Sequence, residues 1–204
     1  TYGSALDVMT VFPGWQNLDN ATAVAVVADY LGVPDDVIGA ALTSFTGVGR
    51  RFDQLGELRG VPVLDDYAHH PTEVRATIEA ARQRYPERDV WVVFQPHQAY
   101  RTRVFFHGFA DALALADRVY VLDVYAARES HFDPANRELA EQLAETTHLR
   151  GTRSHHAVGF DEVIASLREE LPDHAVLLTM GAGNVVELAE ALVTTYGTRL
   201  KRAA

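Results

Sequence analysis

The sequence predicts an α/β fold, a mostly parallel sheet flanked by helices and preceded by a short helical segment, and three observations carry that expectation. From Gly47 onward short apolar runs alternate with amphipathic stretches, the pattern of helices covering a parallel sheet. Before that, from Gln16 to Phe45, the patterning is helical and there is no strand signal. With 48% hydrophobic and 23% charged positions in 204 residues, the chain has material for one domain, or one domain plus a small neighbour. We therefore expect a helical segment over 1–45 and an α/β domain over 46–204, divided at the glycine-bearing FTGVGRR.

Each element has its own justification. ATAVAVVADYLG is almost wholly small and apolar and closes on Gly32, and PDDVIGAALTSF opens on Pro34 with two acids in its first turn; both are helix signatures. QLGELRGVPVL turns at Arg59-Gly60, so an antiparallel hairpin strand precedes the buried strand VPVLDDY. PTEVRATIEAARQRY then places Val74, Ile78, Ala81 and Tyr85 on one helical face. Strand DVWVVFQP is followed by a helix near RVFFHGFADALALA, and strand RVYVLDVY by helix NRELAEQLAE. A helix at FDEVIASLREE, a strand at HAVLLTMG and a helix at NVVELAEALV complete a Rossmann-like domain.

Composition removes several function classes. The net charge of -10 argues against a general nucleic-acid or anionic-membrane surface, while leaving room for a local basic pocket. There is no cysteine, hence no disulfide, thiolate catalysis or cysteine-ligated metal. No apolar run reaches the roughly 20 residues of a membrane span, and the N-terminus lacks a signal pattern, so a cytoplasmic protein is expected. The first residue is Thr1 rather than Met, which suggests a fragment or a processed product.

Polar residues gather where four strands end. Asp65, Asp66, Tyr67, His69 and His70 follow the first buried strand; His97, Arg101 and Arg103 the second; Asp123, Tyr125, Arg128 and Glu129 the third; and TMGAGN the fourth. Ligands of open α/β sheets bind at that edge, so Asp66, His69, His97 and Arg101 are expected to converge on one cleft there. Other readings stand beside this one. A tandem His before Pro suits a loop with a helix cap, MGAGN suits an ordinary strand-to-helix turn, and arginines pair with any of the 28 acids. His69, His70, His97 and Asp66 are ordinary zinc-ligand types, but their spacing matches no strong signature. Arg50-Arg51 and Arg101-x-Arg103 suit bidentate capture of phosphate or carboxylate.

GVGRRFDQLGEL, DDYAHHPTE, FQPHQAYRTR, DVYAARE and MGAGN, in that order, resemble the C-terminal domain of the Mur ligase family, in the branch that joins L-alanine to UDP-N-acetylmuramate. PGWQNLDNATA resembles the end of that family's central ATP-binding domain, so the likeness spans essentially the whole chain. It implies an ATP- and Mg2+-dependent ligase of peptidoglycan synthesis that phosphorylates the substrate carboxylate, after which the amine of alanine attacks the acyl phosphate. By the resemblance, Asn17 and Asn20 hold the adenine, Arg51 approaches the nucleotide phosphates, and Asp66 contacts the nucleotide. Tyr67, His69, His70, His97 and Arg101 face the muramoyl-alanine end of the cleft, with Arg51, Asp66 and His69 carrying the catalytic roles.

Departures qualify the match. Gln16 stands where the family usually has histidine, Gln98 where arginine is common, and Asn184 where an acid often follows GAG. No GxxGKT-type phosphate loop occurs, and the single lysine is Lys201, so the phosphate loop, most metal ligands and the UDP-binding domain are expected upstream of Thr1 and this piece alone is expected to be inactive. A Mur-like binding or regulatory domain without catalysis is the competing expectation. A dehydrogenase is disfavoured by the missing glycine fingerprint. The helices before Phe45 are expected to pack poorly against the rest, because their apolar faces suit an absent partner.

Overall fold

The computed structural model describes residues 15–45, 47–126 and 134–200. The chain divides into two units, the described residues up to Val48 in the first and those from Gly49 in the second.

The first unit is a helix pair, α1 (Trp15–Tyr30) and α2 (Asp35–Ser44), which pack on each other. Gly32, with φ 78°, follows α1 in the left-handed conformation that commonly ends a helix, and Pro34 precedes α2 with Asp35 and Asp36 in its first turn. Few side chains are buried here, Ala21, Ala25 and Ile38 among them, while Trp15, Val24, Val27, Tyr30 and Leu31 are exposed.

The second unit is built on β2 (Val61–Asp66), β3 (Asp89–Phe94), β4 (Arg118–Leu122), β5 (Arg153–Ala157) and β6 (Ala175–Met180), which run parallel in the spatial order β5-β4-β3-β6-β2. Two antiparallel strands, β1 (Asp53–Leu58) and β7 (Thr198–Arg199), extend the sheet beyond β2. Cover on both faces explains why β2 and β6 are buried at every position and largely apolar rather than alternating. Strand geometry sends successive side chains to opposite faces, so Leu178 enters one core cluster and Leu177 the other. The first cluster takes Val74 and Ile78 of α3 (Pro71–Arg84), Phe109 and Leu113 of α5 (Phe106–Leu113), and Leu139 and Leu143 of α6 (Pro134–Leu149). The second takes Val163 and Leu167 of α7 (Phe160–Glu170) with Leu188 and Leu192 of α8 (Val185–Tyr196). Trp91 belongs to that second cluster, with the Arg118 guanidinium 5.8 Å from its ring centre and paired with Glu170 at 2.6 Å. Both clusters draw only on residues after Gly49.

The α/β expectation holds, including the hairpin: Arg59 and Gly60, with φ 53° and 82°, are the consecutive left-handed residues a tight two-residue turn needs. Three elements differ from expectation. The short β7 and RSHHA, which is β5, fall where no element was expected; β5 pairs with β4 alone and its outer edge carries polar residues, so it has no apolar run. The single helix expected near RVFFHGFADALALA is two, because α4 (Ala99–Val104) stops at Phe105 before α5 begins.

These placements set the energetics. Leu178→Ala opens a cavity in the central strand and is expected to lower the unfolding free energy by about 2–5 kcal/mol. Val24→Ala, at a side chain 57% exposed, is expected to change it by no more than about 0.5 kcal/mol. Urea unfolding of this chain followed by circular dichroism measures both.

Candidate functional site

The strip DDYAHHPTE is shaped by the need to leave a buried strand and start a helix within a few residues. Pro71 sits in the first turn of α3, where its missing N–H costs nothing, and forces His70 into extended backbone, φ -123° and ψ 146°. His70 is therefore the N-cap: its Nδ1 accepts from Thr72 N at 3.4 Å, while Glu73 Oε2 accepts from His70 N at 3.1 Å and His69 N at 2.9 Å. The His70 ring lies edge-on to Phe105 with centroids 4.5 Å apart. His69 Nδ1 is 2.9 Å from Tyr67 O, a carbonyl that can only accept, so Nδ1 donates there, with Glu73 Oε2 3.3 Å away on the same nitrogen.

Asp65 and Asp66 close β2, both buried. Asp65 Oδ2 accepts from Arg50 Nε at 2.9 Å and Oδ1 from Thr179 Oγ1 at 2.8 Å. Burial nevertheless pushes its carboxyl above the usual carboxylate range, against the pull of Arg50 and Thr179. Asp66 Oδ2 accepts from Phe52 N and Oδ1 from Ala68 N, each at 2.8 Å. Burial raises its carboxyl to about 6, because desolvation outweighs those two N–H groups and the nearby charge of Arg51. The two consecutive arginines thus part company. Arg50 turns inward, its NH2 donating to Gly181 O at 2.7 Å and NH1 to Gly183 O at 3.3 Å. The Arg51 side chain is half exposed, 3.7 Å from Glu73 Oε1 and 5.6 Å above the Tyr67 ring centre.

The end of β3 faces this strip. Gln98, with φ 68°, turns the chain from the strand into α4, where a second donor-rich turn begins. His97 bridges to Tyr125 and stacks on its ring, centroids 5.7 Å apart and planes 14° from parallel. Arg101 lies one helical turn on, its NH1 3.4 Å from His97 Nδ1, which must accept because a guanidinium only donates. The His69 ring centre is 6.3 Å from that of His97 and 5.2 Å from that of Tyr67. Tyr67, His69, His97, Tyr125 and Arg101 therefore form a continuous row along the carboxyl edge of the sheet. Beside it, Gln95 clamps the start of α8: its Nε2 donates to Asn184 Oδ1 at 2.9 Å and its Oε1 accepts from Val185 N at 3.2 Å. A Cβ on Gly183 would collide with Gln95 Oε1 and the Tyr125 ring, which is why the turn needs glycine.

Residues 50–183 match the model of the Mur ligase family described as "Mur ligase, glutamate ligase domain". The chain belongs to the Mur ligase family. Over 193 residues, 94% of the chain, it is 42% identical to the UDP-N-acetylmuramate–L-alanine ligase of Agathobacter rectalis and equally so to that of Acidithiobacillus ferrooxidans, covering 41% of each. Among solved structures, the UDP-N-acetylmuramate–alanine ligase of Thermotoga maritima superposes with a TM-score of 0.76 at 28% identity, over 94% of this chain and 40% of that one. A murein peptide ligase of Psychrobacter arcticus shares the fold at 22% identity, with a TM-score of 0.71 over 95% of this chain and 39% of its own. The chain thus spans about two fifths of the length of these Mur ligases.

Along this chain of the Mur ligase family the expected site residues fall into three groups. His69, His97, Arg101 and Tyr67 come together in the row, with Arg51 over Tyr67 at its hinge end. Asp66 and His70 lie on the same strip, with Asp66 holding backbone N–H groups and His70 capping α3. Asn17 and Asn20 lie three residues apart in α1, within the first unit. Arg103 follows Arg101 by two positions in α4, about 200° around the helix, and so does not join it. Arg128, Glu129 and the side chain of Gln16 lie outside the described residues. Among the described residues no three His, Asp or Glu side chains are grouped to hold a metal ion, so the zinc-type set of His69, His70, His97 and Asp66 does not assemble. Sequence reasoning passed over Gln95, Tyr125 as a stacking partner, and the pair of His156 Nε2 with Asp123 Oδ1 at 2.6 Å, which depends on β5. The glutamine was visible inside FQPH, but nothing in the run shows that its amide reaches 90 positions along the chain.

The buried acid makes a pH prediction. Its folded value of about 6 lies above the ordinary 3.8, so its contribution to stability is complete below the unfolded value and is lost as pH rises through the folded one. The loss between those limits is on the order of 3 kcal/mol. The Asp66 carboxyl carbon is expected to titrate near 6 by NMR, and Asp66→Asn to flatten the fall in urea midpoint between about pH 4 and pH 7.

Proposed function

We propose that the protein carrying this chain is a cytoplasmic ATP-dependent ligase that joins L-alanine to UDP-N-acetylmuramate in peptidoglycan synthesis, and that residues from the hinge onward are its C-terminal domain. What carries this reading is the likeness to ligases of that name over nearly the whole chain. The site geometry supplies chemistry consistent with it. A carboxylate attacking the terminal phosphorus of ATP releases ADP and leaves an acyl phosphate; the amine of alanine then attacks the acyl carbon and inorganic phosphate departs. Both steps gather anionic oxygens, and cations held in place offset that charge without having to reorganise.

In this reading Arg51 meets phosphate oxygens from the linker, Arg101 and His97 anchor the muramoyl carboxylate side, and His69 lies beside them at the reacting end. Asn17 and Asn20, on one face of α1, contact the adenine. Asp66 orients the nucleotide end of the cleft through the hinge backbone it holds at Phe52, with Tyr67 and His70 shaping the strip around it. Mg2+ would neutralise the nucleotide phosphates, with most of its ligands supplied from outside these residues. The present 204 residues alone are then inactive, since they contain no GxxGKT phosphate loop.

The protein carrying this chain is expected to release phosphate from ATP only when UDP-N-acetylmuramate and L-alanine are both present. Arg51→Ala is expected to lower kcat by about tenfold or more while changing the KM for ATP less, because its contact strengthens on closure. Absence of alanine-dependent phosphate release sinks the ligase reading, and normal turnover in folded Arg51→Ala sinks the role given to that arginine.

A further inference from the structure

The backbone on either side of Arg51 is left-handed: Arg50 has φ 62° and Phe52 φ 49°. Residues with a Cβ avoid that region, and it persists only where surrounding contacts over-determine it. Here they do. The three guanidinium nitrogens of Arg50 each have their own acceptor, Asp65 Oδ2 at 2.9 Å, Gly181 O at 2.7 Å and Gly183 O at 3.3 Å. The Arg50 carbonyl accepts from Tyr67 N at 2.7 Å, and Phe52 N donates to Asp66 Oδ2 at 2.8 Å. The hinge is thereby fastened to the end of β2 on both sides of Arg51 and, through one side chain, to the turn between β6 and α8. Arg51 itself stays half exposed, at 50%.

We propose that Arg50 is a positioning residue that acts through Arg51, fastening the left-handed hinge so that the Arg51 guanidinium is presented to the phosphate oxygens of a nucleoside triphosphate. This rests on the ligase reading above and adds to it a division of labour within the arginine pair. A planar fork is required because its donors reach three acceptors in fixed directions; a lysine ammonium carries the charge but cannot span them.

The variants are Arg50→Gly, which removes the fork yet accepts φ 62° without strain, and Arg50→Lys. In the protein carrying this chain, Arg50→Gly is expected to lower kcat about tenfold or more while the KM for ATP stays within about threefold, with partial recovery in Arg50→Lys. Assays run well below each melting temperature separate this from lost stability. In the 204-residue chain, 15N relaxation of the Arg51 and Phe52 amides should show order parameters falling from ~0.85 to below ~0.6 in Arg50→Gly. Where Arg50→Gly does not fold, Asp65→Asn, which removes the charge and keeps the shape, is measured in the same way. A folded variant with kcat within about twofold of the parent overturns the proposal, as does one whose Arg51 and Phe52 amides remain ordered. A parent without ATP-dependent ligase activity overturns the ligase reading and the positioning role together, whereas an active parent with indifferent variants overturns the positioning role alone.

Discussion

Two carboxylates buried side by side at the end of β2 cannot share a face of the sheet, and the different way each is satisfied sets the surrounding architecture. Asp65 needs a charged partner and draws Arg50 across to it, with Thr179 of β6 on its other oxygen. Asp66 needs donors too, and takes them from the backbone of Phe52 and Ala68. The first interaction brings in the hinge and, through the same guanidinium, the turn before α8. The second fixes the chain just before His69 and His70. Remove either acid and a buried donor set loses its acceptors, which costs more than the net worth of the bonds themselves. The backbone of residues 50–52 and the turn before α8 are therefore both tied to one dipeptide.

Much of the fold was legible because the chain changes period where it changes structure. VPVLDD reads as a buried strand and PTEVRATIEAAR as a helix with one apolar face, and both elements lie where that reading puts them. RSHHA was illegible for a physical reason: an edge strand is not covered on both sides, so its sequence need not be apolar. The break between α4 and α5 was equally hidden, since Arg103-Val104-Phe105-Phe106 is a run without a Gly or Pro stop signal at the residue where α4 ends.

At the site, sequence separated residue types but not their duties. Tandem His before Pro was open to two readings, and the structure divides them between the rings, with His70 capping α3 and His69 in the row beside His97. Arg50 and Arg51 are chemically the same; only the sign of φ and the burial of Asp65 distinguish the one that fastens from the one that stays exposed. Gln95 escaped notice because its two partners, Asn184 and Val185, belong to a strand-to-helix turn far along the chain.

The chain contains two tryptophans, and the fold gives one to each unit. Trp91 is 7% exposed among apolar side chains, whereas Trp15 is 72% exposed at the start of α1. Indole emission shifts to the red with hydration, so the two units carry distinct intrinsic optical labels without any added dye. A macromolecule that settles over the α1 surface would shift the red component toward the blue and leave the other unchanged, whereas loss of the sheet would do the opposite. The same two indoles can therefore report docking of the helical unit and melting of the sheet in a single cuvette.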